Sequence, residues 1–201
     1  MMYEHYPKKI SKEEINLLPI ISFTGEILLC DSKELAESSA KKLLEEKIIG
    51  FDTETKPSFK KGEYYLPSLL QLATERKVYL FQLKKCSLTK SLIKIFNSKK
   101  ILKVGIALKH DISELQKIKY FDSNSFIDLS SVAKEAGINN LGLRSLVAIF
   151  MHHRLSKKDQ VSNWAKEKLS ESQILYAATD AWLSRELYLN FRKQGLLISK
   201  Q

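Results

Sequence analysis

The chain has 201 residues, 44% of them hydrophobic and 28% charged, with seven glycines and four prolines, which excludes a disordered chain and leaves room for one sizeable core. Thirty-three Lys+Arg against 23 Asp+Glu give a formal charge of +10, and that surplus favours polyanionic partners, nucleic acid first, because neutralising phosphates releases condensed counterions. Much of it comes as scattered doublets such as Lys60-Lys61 and Lys84-Lys85, which also suit a surface that is merely solubilised by lysine.

Residues 1–25 read as an N-terminal arm, polar and irregular over 1–18, ahead of a single domain over 26–201. The first residues lack the apolar core of a signal peptide, and no apolar run reaches the ~20 residues that span a bilayer, so a soluble, cytoplasmic-type location is expected. Ile20–Phe23 and Glu26–Cys30 flank Thr24-Gly25 as a short extended pair with a turn between. Ser32 opens a helix that ends near Glu46. Ile48–Asp52, Ser68–Ala73 and Val78–Leu83 then read as consecutive core strands, close enough in sequence to be antiparallel. A helix over Leu88–Phe96, a strand over Ile101–Ile106, a helix from Asp111 to about Ile118 and a short strand at Ser125–Asp128 follow. From Leu129 onward the pattern is helical, and Ser170 with Gln173 has the spacing of a capping box at the start of the last helix. The result is an α/β fold with a mixed five-stranded sheet flanked by helices. Cys30 and Cys86 stand far apart and outside any paired-ligand spacing, so neither a disulfide framework nor a zinc site is expected.

Three places carry acidic residues with chemical potential. Alternation along the strand puts Asp52 and Glu54 on one face with α-carbons roughly 6.5 Å apart; the same pair also suits a strand end that has emerged into solvent. Asp111 follows the fourth core strand, where Asp111 and Glu114 also have the spacing of a helix cap. Tyr176 and Asp180 are four residues apart in an alanine-rich helix and share a face, where small neighbours allow close approach to another element.

Order and spacing together are more specific. IIGFDTET at 48–55, VGIALKHDISEL at 104–115 and LYAATDAWLSREL at 175–187, with PSLLQLA at 67–73, GLRSLV at 142–147 and QVSNW at 160–164, resemble the blocks of the DEDDy 3′→5′ exonucleases. This ribonuclease H-like group includes ribonuclease D and the exonuclease domain of the Werner syndrome helicase. The likeness covers about residues 26–191. It implies a ribonuclease H-like fold and two divalent cations, Mg²⁺ or Mn²⁺, held by Asp52, Glu54, Asp111 and Asp180, with Tyr176 marking the tyrosine branch. In the implied mechanism one ion, on Asp52, Glu54 and Asp180, activates the attacking water. The second shares Asp52, is held partly through waters on Asp111, and stabilises the leaving 3′ oxygen. Tyr176 orients the water, and the product is a nucleoside 5′-monophosphate. The implied partner is single-stranded or 3′-recessed nucleic acid, DNA or RNA.

Other positions carry milder expectations. Gln160 and Ser162 are candidates to touch the terminal nucleotide, Trp164 reads as an anchor for its loop, and Trp182 and Tyr188 read as core. Two competing classes are a non-cleaving nucleic-acid-binding module on the same fold, and a basic interaction protein without a catalytic site.

Overall fold

The computed structural model describes residues 6–156 and 158–197. Its centre is one mixed sheet of strands β1 (Glu26–Cys30), β2 (Ile48–Thr55), β3 (Pro67–Ala73), β4 (Lys77–Gln82), β5 (Leu102–Gly105) and β6 (Phe126–Asp128), in the spatial order β1-β4-β3-β2-β5-β6. The meander β2-β3-β4 is antiparallel, as short connections require, whereas β1 joins β4, β5 joins β2 and β6 joins β5 in parallel.

The helices are α1 (Lys12–Leu17), α2 (Lys33–Leu43), α3 (Leu83–Cys86), α4 (Lys90–Asn97), α5 (Lys109–Ile118), α6 (Leu129–Glu135), α7 (Leu143–Met151) and α8 (Glu171–Lys193). Alternation along the strands divides the core. Phe51, Leu70, Leu72 and Phe81 face α2, α4 and α5 in one apolar cluster, where Phe96, Phe121 and Phe126 also meet. Leu69, Ala73, Val78 and Leu80 face Ala177, Ala178 and Ala181 of α8 on the other side, and α6 and α7 extend that layer over Val104. Strands with side chains buried on both faces read as near-continuous apolar runs, and β3 is buried at every residue.

Three expectations change. The sheet has six strands, not five: Glu26–Cys30 does not pair with Ile20–Phe23 but lies parallel to β4, from Glu26 opposite Lys77 to Cys30 opposite Phe81. That pairing satisfies the outer edge of β4 and buries Cys30 fully, which a two-stranded ribbon in solvent cannot do. Ile20 makes only an isolated bridge to Arg154. Second, the arm is not irregular throughout, since α1 forms on a full capping box in which Ser11 and Glu14 satisfy each other's backbone N–H groups. Third, α5 begins at Lys109 with Leu108 as its cap residue, so Asp111 lies inside the first turn and is not the cap. The expected box at Ser170 and Gln173 is present at the start of α8.

Backbone and side-chain bonds tie residues 8–23 to the rest. Ile10 N–H donates to Asn140 Oδ1 at 3.0 Å, Ile21 N–H to the Arg154 carbonyl at 3.0 Å and Phe23 N–H to Thr179 Oγ1 at 3.1 Å. Among the described residues no helix is long and apolar enough to cross a membrane.

Candidate active site

A missing side chain brings the two main elements of the site together. Gly50 faces α8, and a Cβ there would lie 2.0 Å from the carbonyl oxygen of Ala181. Only glycine lets the helix backbone come that close to β2. Asp52 and Glu54 follow Gly50 on the same face of the strand, and Asp180 precedes Ala181 on the helix, so the close approach carries the three carboxylates together. One oxygen from each of Asp52, Glu54 and Asp180 lies within 4.8 Å of the others.

Like charges this close, partly removed from water, disfavour ionisation. Burial is the largest cause at each residue. It pushes the Glu54 carboxyl up to about 10, aided by the charges of Asp52, Asp180 and Asp111. Asp180, only 8% exposed, is pushed up to about 7 by burial, opposed by its contact with the Tyr176 hydroxyl. Asp52 is raised well above the usual carboxylate range by burial, then by Asp180 and Asp111, against one stabilising bond from Thr53 N–H at 2.9 Å. Among the described residues, none of the three acids forms an ion pair with a basic side chain.

Asp111 stands outside this trio. Thr53, on the opposite face of β2, donates its hydroxyl to Asp111 Oδ1 at 2.6 Å, so the fourth acid reaches the strand end from the α5 side. Its carboxyl is also raised, chiefly by burial, although the Thr53 bond works against the shift. The turn that presents it is held in a left-handed conformation at Ala107 (φ 55°), whose N–H donates to Asp128 Oδ1 at 2.9 Å. That strained residue persists because Asp128 fixes it. Gly105 supports the same turn, since a Cβ there would meet the Phe51 carbonyl oxygen at 2.5 Å.

Tyr176 lies one helical turn before Asp180. Burial first, and then the charges of Asp180 and Glu54, hold its hydroxyl far above the usual range, so it stays protonated. Its ring packs at 5.9 Å from that of Trp164, which is 2% exposed and anchors its loop, as expected. Ser162 accepts from the Gln173 amide at 2.8 Å. Gln160 lines a cavity of about 340 Å³ with Tyr176 and Asp180, whose other wall includes Ile10, Lys12 and Ile15 of the arm. Tyr188 is core, and Trp182 packs half-buried on Phe23. Sequence reasoning missed Thr53 and Gly50. An isolated glycine inside an apolar strand was a readable sign of close backbone approach, whereas nothing local marked Thr53.

The donor set is all carboxylate oxygen, with spacing that one small ion can bridge, and suits hard divalent cations such as Mg²⁺ or Mn²⁺. Residues 28–195 match the 3′-5′ exonuclease family. The chain is 31% identical over 188 residues to the bifunctional 3′-5′ exonuclease/ATP-dependent helicase WRN of Mus musculus, a match that spans 89% of this chain and 13% of that protein. It is likewise 31% identical over 196 residues to the exonuclease mut-7 homolog of Aedes aegypti, covering 85% of this chain and 27% of the relative. The chain therefore spans well under a third of either. The crystal structure of the Aedes aegypti Nibbler EXO domain superposes with a TM-score of 0.78 at 28% identity, over 87% of this chain and 92% of that one. Motif order, acidic geometry and these matches together place the chain in the DEDDy-type 3′-5′ exonuclease family, on its ribonuclease H-like fold.

Proposed function

We propose that this chain is an active 3′→5′ exonuclease that hydrolyses phosphodiester bonds at nucleic-acid 3′ ends and releases nucleoside 5′-monophosphates. The observation that carries this reading is the convergence of Asp52, Glu54 and Asp180 within 4.8 Å with, among the described residues, no basic side chain paired to them. Buried anions in this state are stable only if protonated or bound to cations. Asp52, Glu54 and Asp180 would hold one divalent cation, and Asp111 with Asp52 a second. Bound there, Mg²⁺ or Mn²⁺ would supply positive charge to the phosphate and raise the acidity of water.

The chain's own residues do the rest. Tyr176, kept protonated, is a hydrogen-bond donor and not a base, so its role is to orient the attacking water beside Asp180. Thr53 fixes the angle of Asp111. Gly50 fixes the separation of β2 and α8, and so of Asp52 and Asp180. The +10 charge supports phosphate contacts that position a strand without reading its sequence.

Product analysis with Mn²⁺ or with EDTA tests the proposal, on end-labelled single-stranded DNA, duplex DNA with a recessed 3′ end, and RNA side by side. Stepwise shortening from the 3′ end with release of 5′-monophosphates supports it, and the three substrates together report sugar preference. Tight binding of all three without Mn²⁺-dependent shortening would favour a non-cleaving binding module.

A further inference from the structure

Gln71 sits in the middle of β3, is fully buried, and has no hydrogen-bond partner at either Oε1 or Nε2. A primary amide brings two donors and an acceptor oxygen into the interior, and leaving them unmet costs stability that an apolar side chain of similar volume would not cost. Such groups are rare in folded chains and call for a reason. Among the described residues, Arg144, Trp164, Arg185 and Asn190 each leave a single buried atom unpaired, whereas Gln71 leaves both ends of its side chain unmet.

Its position supplies the reason. Gln71 is the register partner of Asp52 across the antiparallel β2·β3 pair. Directly opposite residues share a face, with Cβ atoms about 4.5–5.5 Å apart. Leu69 and Ala73 flank Gln71 on that face and belong to the cluster with Ala177, Ala178 and Ala181 of α8. The amide thus lies between the strand that carries Asp52 and the helix that carries Asp180. Asp52 itself receives one hydrogen bond in the structure, from Thr53 N–H to Oδ1.

We propose that Gln71 is a positioning residue for the acidic site, its Nε2–H donating to the Asp52 carboxylate when that group is ionised around a cation. A carboxylate that gives one oxygen to a metal must have the other oriented, and partners of this kind set the geometry of the ligand they hold. The inference rests on the reading of the site as metal-binding.

The test uses Gln71→Met and Gln71→Leu, which keep roughly the volume and remove the amide, with Asp52→Asn as reference. Thermal melting is measured in EDTA, and Mn²⁺ affinity by titration calorimetry. The two readouts should move in opposite senses: melting temperatures in EDTA equal to or above wild type, and Mn²⁺ binding weaker by about 10–100-fold. Mn²⁺ affinity within twofold of wild type in both variants, with Asp52→Asn impaired, overturns the role of Gln71 and leaves the metal site standing. Unimpaired binding by Asp52→Asn overturns both. A large fall in melting temperature in EDTA for both variants also overturns the proposal, because it marks Gln71 as a residue of the fold.

Discussion

The acidic trio and Glu114 are all largely withdrawn from solvent, and their partners differ. Glu114, on α5 one turn beyond Asp111, is 5% exposed, yet its carboxyl is held below the usual range. The reason is its donors: Lys117 Nζ lies 2.7 Å from Oε1, and the Tyr64 hydroxyl donates to Oε2. Asp52 and Glu54 are half-buried, Asp180 is buried, and the three meet one another instead of a donor such as Lys117, so burial first and then their mutual charge raise their carboxyls. Low exposure alone therefore does not raise a carboxyl: Glu114, less exposed than Asp52 or Glu54, is lowered because it has donors. The Glu114 network pins the β2–β3 loop to α5 and is complete within the protein, while among the described residues no basic side chain pairs with the acidic trio.

The largest effect that separates the two groups is on cleavage. Asp52→Asn and Asp180→Asn should each lower single-turnover cleavage at saturating Mn²⁺ by more than about 10³-fold, a loss beyond that of a single positioning contact, while Glu114→Gln stays within a few fold of wild type. Comparable losses in all three would dissolve the contrast. Tyr176→Phe comes next, at about 10²–10³-fold, because it removes one positioning contact and no metal ligand. Its Mn²⁺ affinity should match wild type, and full activity would reduce Tyr176 to a core aromatic.

Stability should depend on pH in opposite senses for the trio and for Glu114, because their carboxyl shifts have opposite signs. The trio's folded values are raised, so in EDTA its contribution is fully present below about pH 4 and is lost as pH rises through about 7 for Asp180 and on towards about 10 for Glu54. Glu114 is lowered, so its contribution is present above the ordinary value of 4.5 and is lost as pH falls through its folded value. Melting temperatures in EDTA should therefore fall from pH 5 to pH 9. Asp180→Asn should flatten the alkaline side, and Glu114→Gln the acid side. An alkaline fall unchanged in Asp180→Asn would mean that other groups cause it. The smallest effect is Glu114→Gln at neutral pH, about 1–3 kcal/mol in denaturant unfolding, from donors of Tyr64 and Lys117 that lose their charged acceptor.

Much of the site is legible in the chain because it depends on local periodicity. Strand alternation puts Asp52 and Glu54 on one face, and helical spacing does the same for Tyr176 and Asp180, so only their convergence needed the fold. The sixth strand was hidden because β1 pairs with β4 across about 50 residues, a nonlocal parallel contact that no turn signal announces. Helix α1 had its Ser11 and Glu14 signature, but with too few apolar residues to show a period. Asp111 read as a cap because its partner, the Thr53 hydroxyl, lies 58 residues away. Gln71 looked like any polar residue in a strand, and only its register opposite Asp52 gives it meaning.

Asp52, Glu54 and Asp180 are proposed to form a cation site, and Glu114 is not. Calorimetric titration of Mn²⁺ into EDTA-stripped, dialysed wild type, Asp52→Asn, Asp180→Asn and Glu114→Gln at pH 7.5, in two buffers of different ionisation enthalpy, measures this directly. Wild type and Glu114→Gln should bind Mn²⁺ with release of protons, because cations displace them from raised carboxyls, and binding should collapse in both Asp variants. Equal Mn²⁺ affinity in wild type and both Asp variants would contradict it.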